Sequence, residues 1–272
     1  MLTQLQKVET FRALHARASA FIIPNPWDIG TARLLEHVGF EALATTSAGF
    51  AFSLGRRDGT VRREQVMAHV AALAAATTVP LSVDLENGFG DAPDVAAETI
   101  RQAAAAGAAG GSIEDSTRRS DRSLYEIAHA VDRIRAAAEA ARAAPSGFVL
   151  TARAENFLVG RADLRDTIAR LQAYQEAGAD VLYAPGLSSA DEIASVVRAV
   201  DRPVNALATM PALRLGFDEL SALGVRRISV GGALARVAFG ATLRAAREMR
   251  ERGTFTFIDD AIASRDLGSM FP

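Results

Sequence analysis

The chain has 272 residues, 49% of them hydrophobic, with 30 Lys and Arg against 32 Asp and Glu and a formal net charge of -2. That balance, with its arginine pairs scattered along the chain, leaves no basic footprint for nucleic acid or an anionic membrane surface. The absence of cysteine removes disulfides, thiolate metal sites and a cysteine nucleophile, and with Lys7 as the only lysine there is no strand lysine for Schiff-base chemistry.

In chain order, the opening stretch MLTQLQKVETFRALHARASAF carries neither a basic n-region nor an apolar run long enough for a signal peptide or membrane span, so a cytoplasmic protein is expected. Short β-branched runs then alternate with longer Ala/Leu/Arg stretches of helical period. The runs are AFIIPNP from Ala20, EALATTS from Glu41, PLSVDLE from Pro80, GGSIED from Gly110, FVLTAR from Phe148, VLYAPG from Val181, PVNALA from Pro203 and RRISVGG from Arg226. Such alternation predicts a parallel sheet covered by helices, and eight units predict a closed (β/α)8 TIM-type barrel, with an open doubly wound sheet as the weaker alternative. Glycines at AGAAGG, EAGAD and SALGV mark helix ends. Leu124, Ile127, Val131 and Ile134 fall on one helical face, which predicts a helix packed on the sheet. One domain is expected over 1–272, with the barrel at about 18–250 and a C-terminal helical tail at 251–272. The tail predicts an extra helix near Ile258 to Ala263, whose apolar neighbours Phe255 and Phe257 predict subunit association.

In a parallel barrel the reactive groups sit where strands end, and here those ends are acidic. Strand two runs toward Asp58, strand three ends in Asp84 and Glu86, strand four in Glu114 and Asp115, and strand five in Arg153 and Glu155. Asp84 and Glu86, two apart, point to one face, and with Glu114 on the neighbouring strand three carboxylates crowd one volume. Like charges so close require a compensating cation. With neither thiolate nor clustered imidazole available, a hard divalent ion held by oxygen, Mg²⁺ or alternatively Mn²⁺, is expected. Taken singly, Asp84 or Glu114 could equally cap a strand end or pair with a loop arginine. Arg153 could pair with Glu114 or clamp a substrate carboxylate. Gly88 and Gly90 read as turn residues. Gly231 and Gly232 weakly suggest a phosphate loop, and His15, His37, His69 and His129 read as structural.

PNPWDIGTARLLEHVGFEALATTSAGFA, GRRDG, VDLENGFGD, SIEDS and TARAENF occur in the order and spacing of the isocitrate lyase and phosphoenolpyruvate mutase superfamily, which the chain resembles from about Phe11 to about Gly240. The resemblance implies an α/β barrel binding Mg²⁺ and a 2-oxo or 2-hydroxy carboxylate. It places Asp84, Glu86 and Glu114 around the metal, Asp58 toward its water shell, and Arg153 on the substrate carboxylate. Thr45, Thr46, Ser47, Asp84 and Asn205 are placed beside the substrate, and Asp58, Arg153 and Glu114 are the catalytic candidates. A C-terminal helix exchanged between the subunits of a homodimer or homotetramer is also implied. Four features depart from the pattern: Glu86 stands where the superfamily has a second Asp, the loop after strand four, STRRSDRSLY, lacks both the Cys-containing motif of the isocitrate-type lyases and the Lys-Thr-Asn-Ser-like run of the mutase, and YAPG lacks the glutamate that the lyases place after strand six.

The expected activity is therefore Mg²⁺-dependent cleavage of a C–C bond next to a 2-oxo carboxylate, by retro-aldol reaction or decarboxylation of an oxaloacetate-like or 2-methylisocitrate-like substrate. Arg118, Arg119 or Arg122 would hold a distal carboxylate. A phosphonopyruvate or phosphoenolpyruvate mutase or hydrolase, and a non-catalytic 2-oxo acid binding protein, are the alternatives.

Overall fold

The computed structural model describes residues 2–120, 123–211 and 213–271. Eight parallel strands, β1 (Phe21–Ile23), β2 (Leu43–Ala44), β3 (Leu81–Asp84), β4 (Gly110–Glu114), β5 (Val149–Arg153), β6 (Val181–Tyr183), β7 (Val204–Leu207) and β8 (Arg227–Ser229), pair in the order β1-β8-β7-β6-β5-β4-β3-β2. The remaining seam, between β1 and β2, is spanned by the Ala44 N–H donating to the Pro24 carbonyl at 3.0 Å. The result is a nearly closed (β/α)8 barrel.

Helices alternate with the strands: α1 (Gln4–Ala16), α2 (Ile29–Val38), α3 (Ser47–Ser53), α4 (Arg63–Ala76), α5 (Pro93–Ala105), α6 (Ile127–Ala143), α7 (Leu164–Glu176), α8 (Ala190–Ala199), α9 (Phe217–Ala222), α10 (Ala233–Arg252) and α11 (Ser264–Ser269). Three of them end as the glycines foretell. Gly107, Gly178 and Gly224, at φ +97°, +104° and +94°, follow α5, α7 and α9 in the left-handed region that stops a helix. α1 sets Val8, Phe11 and Leu14 against Phe21, Ile23, Val149 and Val181, closing the end of the barrel away from the strand C-termini. Gly110 makes this closure possible, because a Cβ there would meet the Val149 carbonyl oxygen at 2.6 Å and Phe11 at 2.8 Å.

Two local expectations are corrected. Leu124 lies before α6, bridged to Ser116, and Ile127 in its first turn is exposed. The buried face of α6 is built instead from Ala130, Ile134, Ala137, Ala138 and Ala141, small residues that allow the close approach of α5. In the tail, the helix expected near Ile258 to Ala263 is a 3-10 turn at Thr256–Asp260 followed by α11. Among the described residues no helix is long and apolar enough to cross a membrane.

Candidate active site at the strand C-termini

The site follows from one row of backbone register. Glu114 pairs with Arg153, Arg153 with Tyr183, Tyr183 with Asn205, and Asn205 with Arg227 across five consecutive strands. Residues in one such row share a face of the sheet, here the barrel interior. Because the strands tilt, the row descends: Glu114 closes β4 at the mouth, whereas Arg227 opens β8. A cavity of about 190 Å³ hangs along this row, lined among others by Thr45, Thr46, Ser47, Asp58, Asp84, Arg153, Asn205 and Arg227.

At the mouth, Arg153 is the hub. Its guanidinium meets Asp84 at 3.2 Å, Glu114 at 3.4 Å and Glu155 at 2.8 Å, and stands 5.2 Å from the centre of the Tyr183 ring. Asp84 Oδ2 accepts from the Ser47 N–H and Oδ1 from the Glu86 N–H, both at 3.2 Å. Burial pushes the Asp84 carboxyl up, but Arg153 and these N–H donors outweigh it and hold its pKa below the ordinary value. Glu86, held at φ 53° in the left-handed region, is pushed up to about 8 by burial, with Arg118 opposing and Asp84, Glu114 and Asp58 adding to the rise. Burial likewise raises Glu114, against Arg153 and Arg118, and brings Glu155 to about 8 despite Arg153.

Of the three expected metal ligands, Asp84 and Glu114 meet at Arg153, and the cation that Glu86 and Glu114 share is a side chain. Arg118, at φ 58° on the loop after β4, pairs with Glu86 through Nη1 and donates to Glu114 Oε1 through Nε and Nη2 at 3.2 Å each. Arg119 pairs with Asp91 at 2.9 Å. Both described loop arginines are thus paired with acids in this structure, and Arg122 lies outside the described residues.

Other expected residues have local partners as well. Thr45 Oγ1 accepts from the Asp84 N–H at 2.9 Å, and Thr46 caps α3 by accepting from the Gly49 N–H. Asn205 accepts from Arg227 Nε at 2.9 Å and donates to Ser229 at 3.0 Å. Asp58 stays on an exposed turn beside the cavity, accepting from the Gly59 N–H. The N–H groups of Val230 and Gly231 donate to Asn25 Oδ1 at 2.9 and 2.8 Å, so the first of the two glycines after β8 is engaged by an internal asparagine.

Arg227 and Tyr183 were not singled out in the sequence, although the inward alternation of Arg227 and Ser229 on β8 carried the signal. Arg133 was missed as well. Buried on α6, it donates to the carbonyls of Asn87, Gly90 (2.9 Å) and Glu114 (3.2 Å) and stacks on Tyr125, tying the ends of β3 and β4 together.

The chemistry of the acids fits a divalent cation. All are oxygen donors, and Glu86 and Glu114 are buried carboxylates that need positive charge nearby. In this arrangement, among the described residues, no three acidic or imidazole groups converge as a ligand set, and Arg118 supplies the charge for two of them. Asp84, Glu86 and Glu114 are the oxygen donors that would be available to such an ion.

A parallel barrel with acids and guanidinium groups gathered at its C-terminal mouth has the arrangement of an enzyme of the α/β-barrel class. The sequence profile of the family described as phosphoenolpyruvate phosphomutase matches residues 11–250. 2-Methylisocitrate lyase of Escherichia coli is 30% identical over 273 residues, covering 95% of this chain and 89% of that protein. A solved structure named provisionally as a lyase/mutase from Burkholderia cenocepacia superposes with TM-score 0.96 at 62% identity, covering 98% of this chain and 95% of the other. A phosphonopyruvate hydrolase solved with oxalate and Mg²⁺ superposes with TM-score 0.86 at 25% identity, covering 97% and 94%. The chain belongs to the isocitrate lyase/phosphoenolpyruvate mutase superfamily, whose members are carbon–carbon lyases and mutases.

Proposed function

We propose that the protein is a Mg²⁺-dependent lyase that cleaves the C–C bond next to a 2-oxo carboxylate, by retro-aldol reaction or decarboxylation of a small acid such as oxaloacetate. The observation that carries this reading is Arg153, a partly buried guanidinium at the centre of the acid cluster and facing the cavity. Magnesium is the cation of the phosphonopyruvate hydrolase structure, and Asp84, Glu86 and Glu114 offer the oxygen donors it prefers. When bound, the ion would supply Lewis-acid stabilisation of the charge that grows on the 2-oxo oxygen.

The chain's own residues do the rest. Arg153 offers fixed N–H donors to the oxo acid and to the enolate oxygen formed when the bond breaks, and because it is already oriented by three acids it costs little reorganisation. The Ser47 N–H and the Thr45 hydroxyl fix Asp84, so the acid that faces the substrate keeps one position. Arg133 fixes the carbonyl of Glu114 and those of the loop after β3, which sets the spacing of Glu86 and Glu114.

Incubating the protein with a panel of 2-oxo acids and Mg²⁺, and following pyruvate or other 2-oxo products, tests the assignment. Release that needs Asp84 and is abolished in Asp84→Ala supports it, whereas release unchanged by that substitution removes the mechanism. Phosphorus NMR on phosphonopyruvate in the same buffer tests the phosphorus branch, which the superposition on the phosphonopyruvate hydrolase favours. Tight oxo acid binding without turnover of any compound would instead mark a binding protein.

A further inference from the structure

Arg227 is a buried charge without an acid. It is 5% exposed, and among the described residues it forms no ion pair; its hydrogen bonds go to neutral partners, Nε to Asn205 Oδ1 at 2.9 Å and Nη1 to Thr151 Oγ1 at 3.0 Å. Arg153, in the same inward row, is by contrast paired with Asp84, Glu114 and Glu155. A guanidinium taken out of water needs compensation, and where the protein supplies none the site is suited to a diffusible anion.

The surroundings fit an anion. Thr151 lies two residues before Arg153 on β5, so the Arg227 head group bonds one inward layer below the mouth, and it lines the same 190 Å³ cavity. Barrel interiors are filled at this depth by Val, Ile and Leu, but here the cavity wall carries Ser82, Ser112, Asn205 and Ser229, small hydroxyl and amide groups that leave space. Burial lowers the Arg227 pKa to about 10, with Tyr183 opposing and Arg153 adding to the fall, so the group remains a cation at neutral pH. The cavity, at about 190 Å³, has room for several waters or a small organic anion.

We propose that Arg227, with Asn205 and Ser229 beside it, is a buried carboxylate subsite at the cavity floor, and that the enzyme acts on a dicarboxylate whose non-reacting carboxylate reaches down to it. The reacting end then lies against Arg153 and Asp84 at the mouth. This rests on the reading of the cavity as a 2-oxo acid site.

Calorimetric titration with Mg²⁺ present separates the two ideas by using three inert anions. Succinate carries two carboxylates, butyrate has the same carbon count with one, and oxalate is short enough to bind at the mouth alone. Because charge-assisted hydrogen bonds are the strong ones, the wild-type protein is expected to prefer succinate over butyrate by about tenfold or more. Arg227→Gln should collapse that preference toward unity and Arg227→Lys should keep part of it, while oxalate affinity stays within about twofold in both. A wild-type succinate-to-butyrate ratio near one overturns the proposal without reference to any variant, and so does an unchanged ratio in a folded Arg227→Gln protein. Failure of oxalate to bind any of the three proteins counts against the oxo acid site at the mouth, leaving the succinate preference to decide the floor subsite.

Discussion

Arg118→Gln should tighten the binding of a divalent cation. The Arg118 guanidinium reaches Glu86 and, at 3.2 Å, Glu114, and its side chain is 28% exposed. At an effective dielectric constant near 20 each such contact is worth about 4 kcal/mol before desolvation, and rehydration of a partly exposed guanidinium returns a large share of it. A net cost of about 2 kcal/mol for moving Arg118 aside corresponds to roughly thirtyfold in Kd. Glutamine keeps some of the side-chain bulk but leaves both carboxylates to the incoming ion. Titrating Mn²⁺ into metal-stripped protein and reading free Mn²⁺ by electron paramagnetic resonance gives the affinity directly, independent of turnover. Equal or weaker Mn²⁺ binding by a folded Arg118→Gln protein would refute the view that the arginine and the metal compete for the same acids.

Two further outcomes concern stability. Gly110→Ala should lower stability by about 1–3 kcal/mol, because its Cβ would meet the Val149 carbonyl oxygen at 2.6 Å and neither β5 nor α1 can give way cheaply; urea denaturation checks it, and an unchanged midpoint contradicts the packing argument. His15 donates from Nδ1 to the Phe11 carbonyl at 2.7 Å between Phe11 and Phe21, and burial, reinforced by Arg227, brings its pKa down to about 3 from 6.5. The unfolded chain therefore binds the extra proton between these values, so the stability held above the unfolded pKa is lost as pH falls, by about 2 kcal/mol between pH 7 and 5. Glu86 and Glu155, with pKa values raised to about 8, act in the opposite direction, so the comparison is with His15→Leu, which should show a shallower acid loss than wild type. Parallel pH profiles in urea would rule out the histidine as the source.

The barrel was legible because a parallel sheet writes its strands as short apolar runs, and each of the eight named runs contains an observed strand. The acids were legible because Asp84 and Glu114 fall at the last residues of β3 and β4, where nothing apolar competes for the position. Arg227 was not, because its depth depends on strand tilt: in sequence it is half of an arginine pair opening a strand, and only the register with Asn205 and the bond to Thr151 bring it beneath Arg153. Arg118 was hidden for a different reason. Its reach back to Glu86 needs a left-handed backbone at a non-glycine residue, a conformation that no local pattern announces. The face of α6 was misplaced because helical period alone cannot show that the helix begins only at Ile127 and packs through alanines.

The central claim is that the acids at the ends of β3 and β4 hold a divalent cation that the C–C cleavage requires. Pyruvate release from oxaloacetate by protein stripped with chelator, before and after adding back Mg²⁺, measures it most directly, with the spontaneous decarboxylation caused by Mg²⁺ alone subtracted. Release that returns with Mg²⁺ in the wild-type protein and fails to return in Asp84→Ala is the predicted result; enzymatic release that persists in the stripped protein would contradict it.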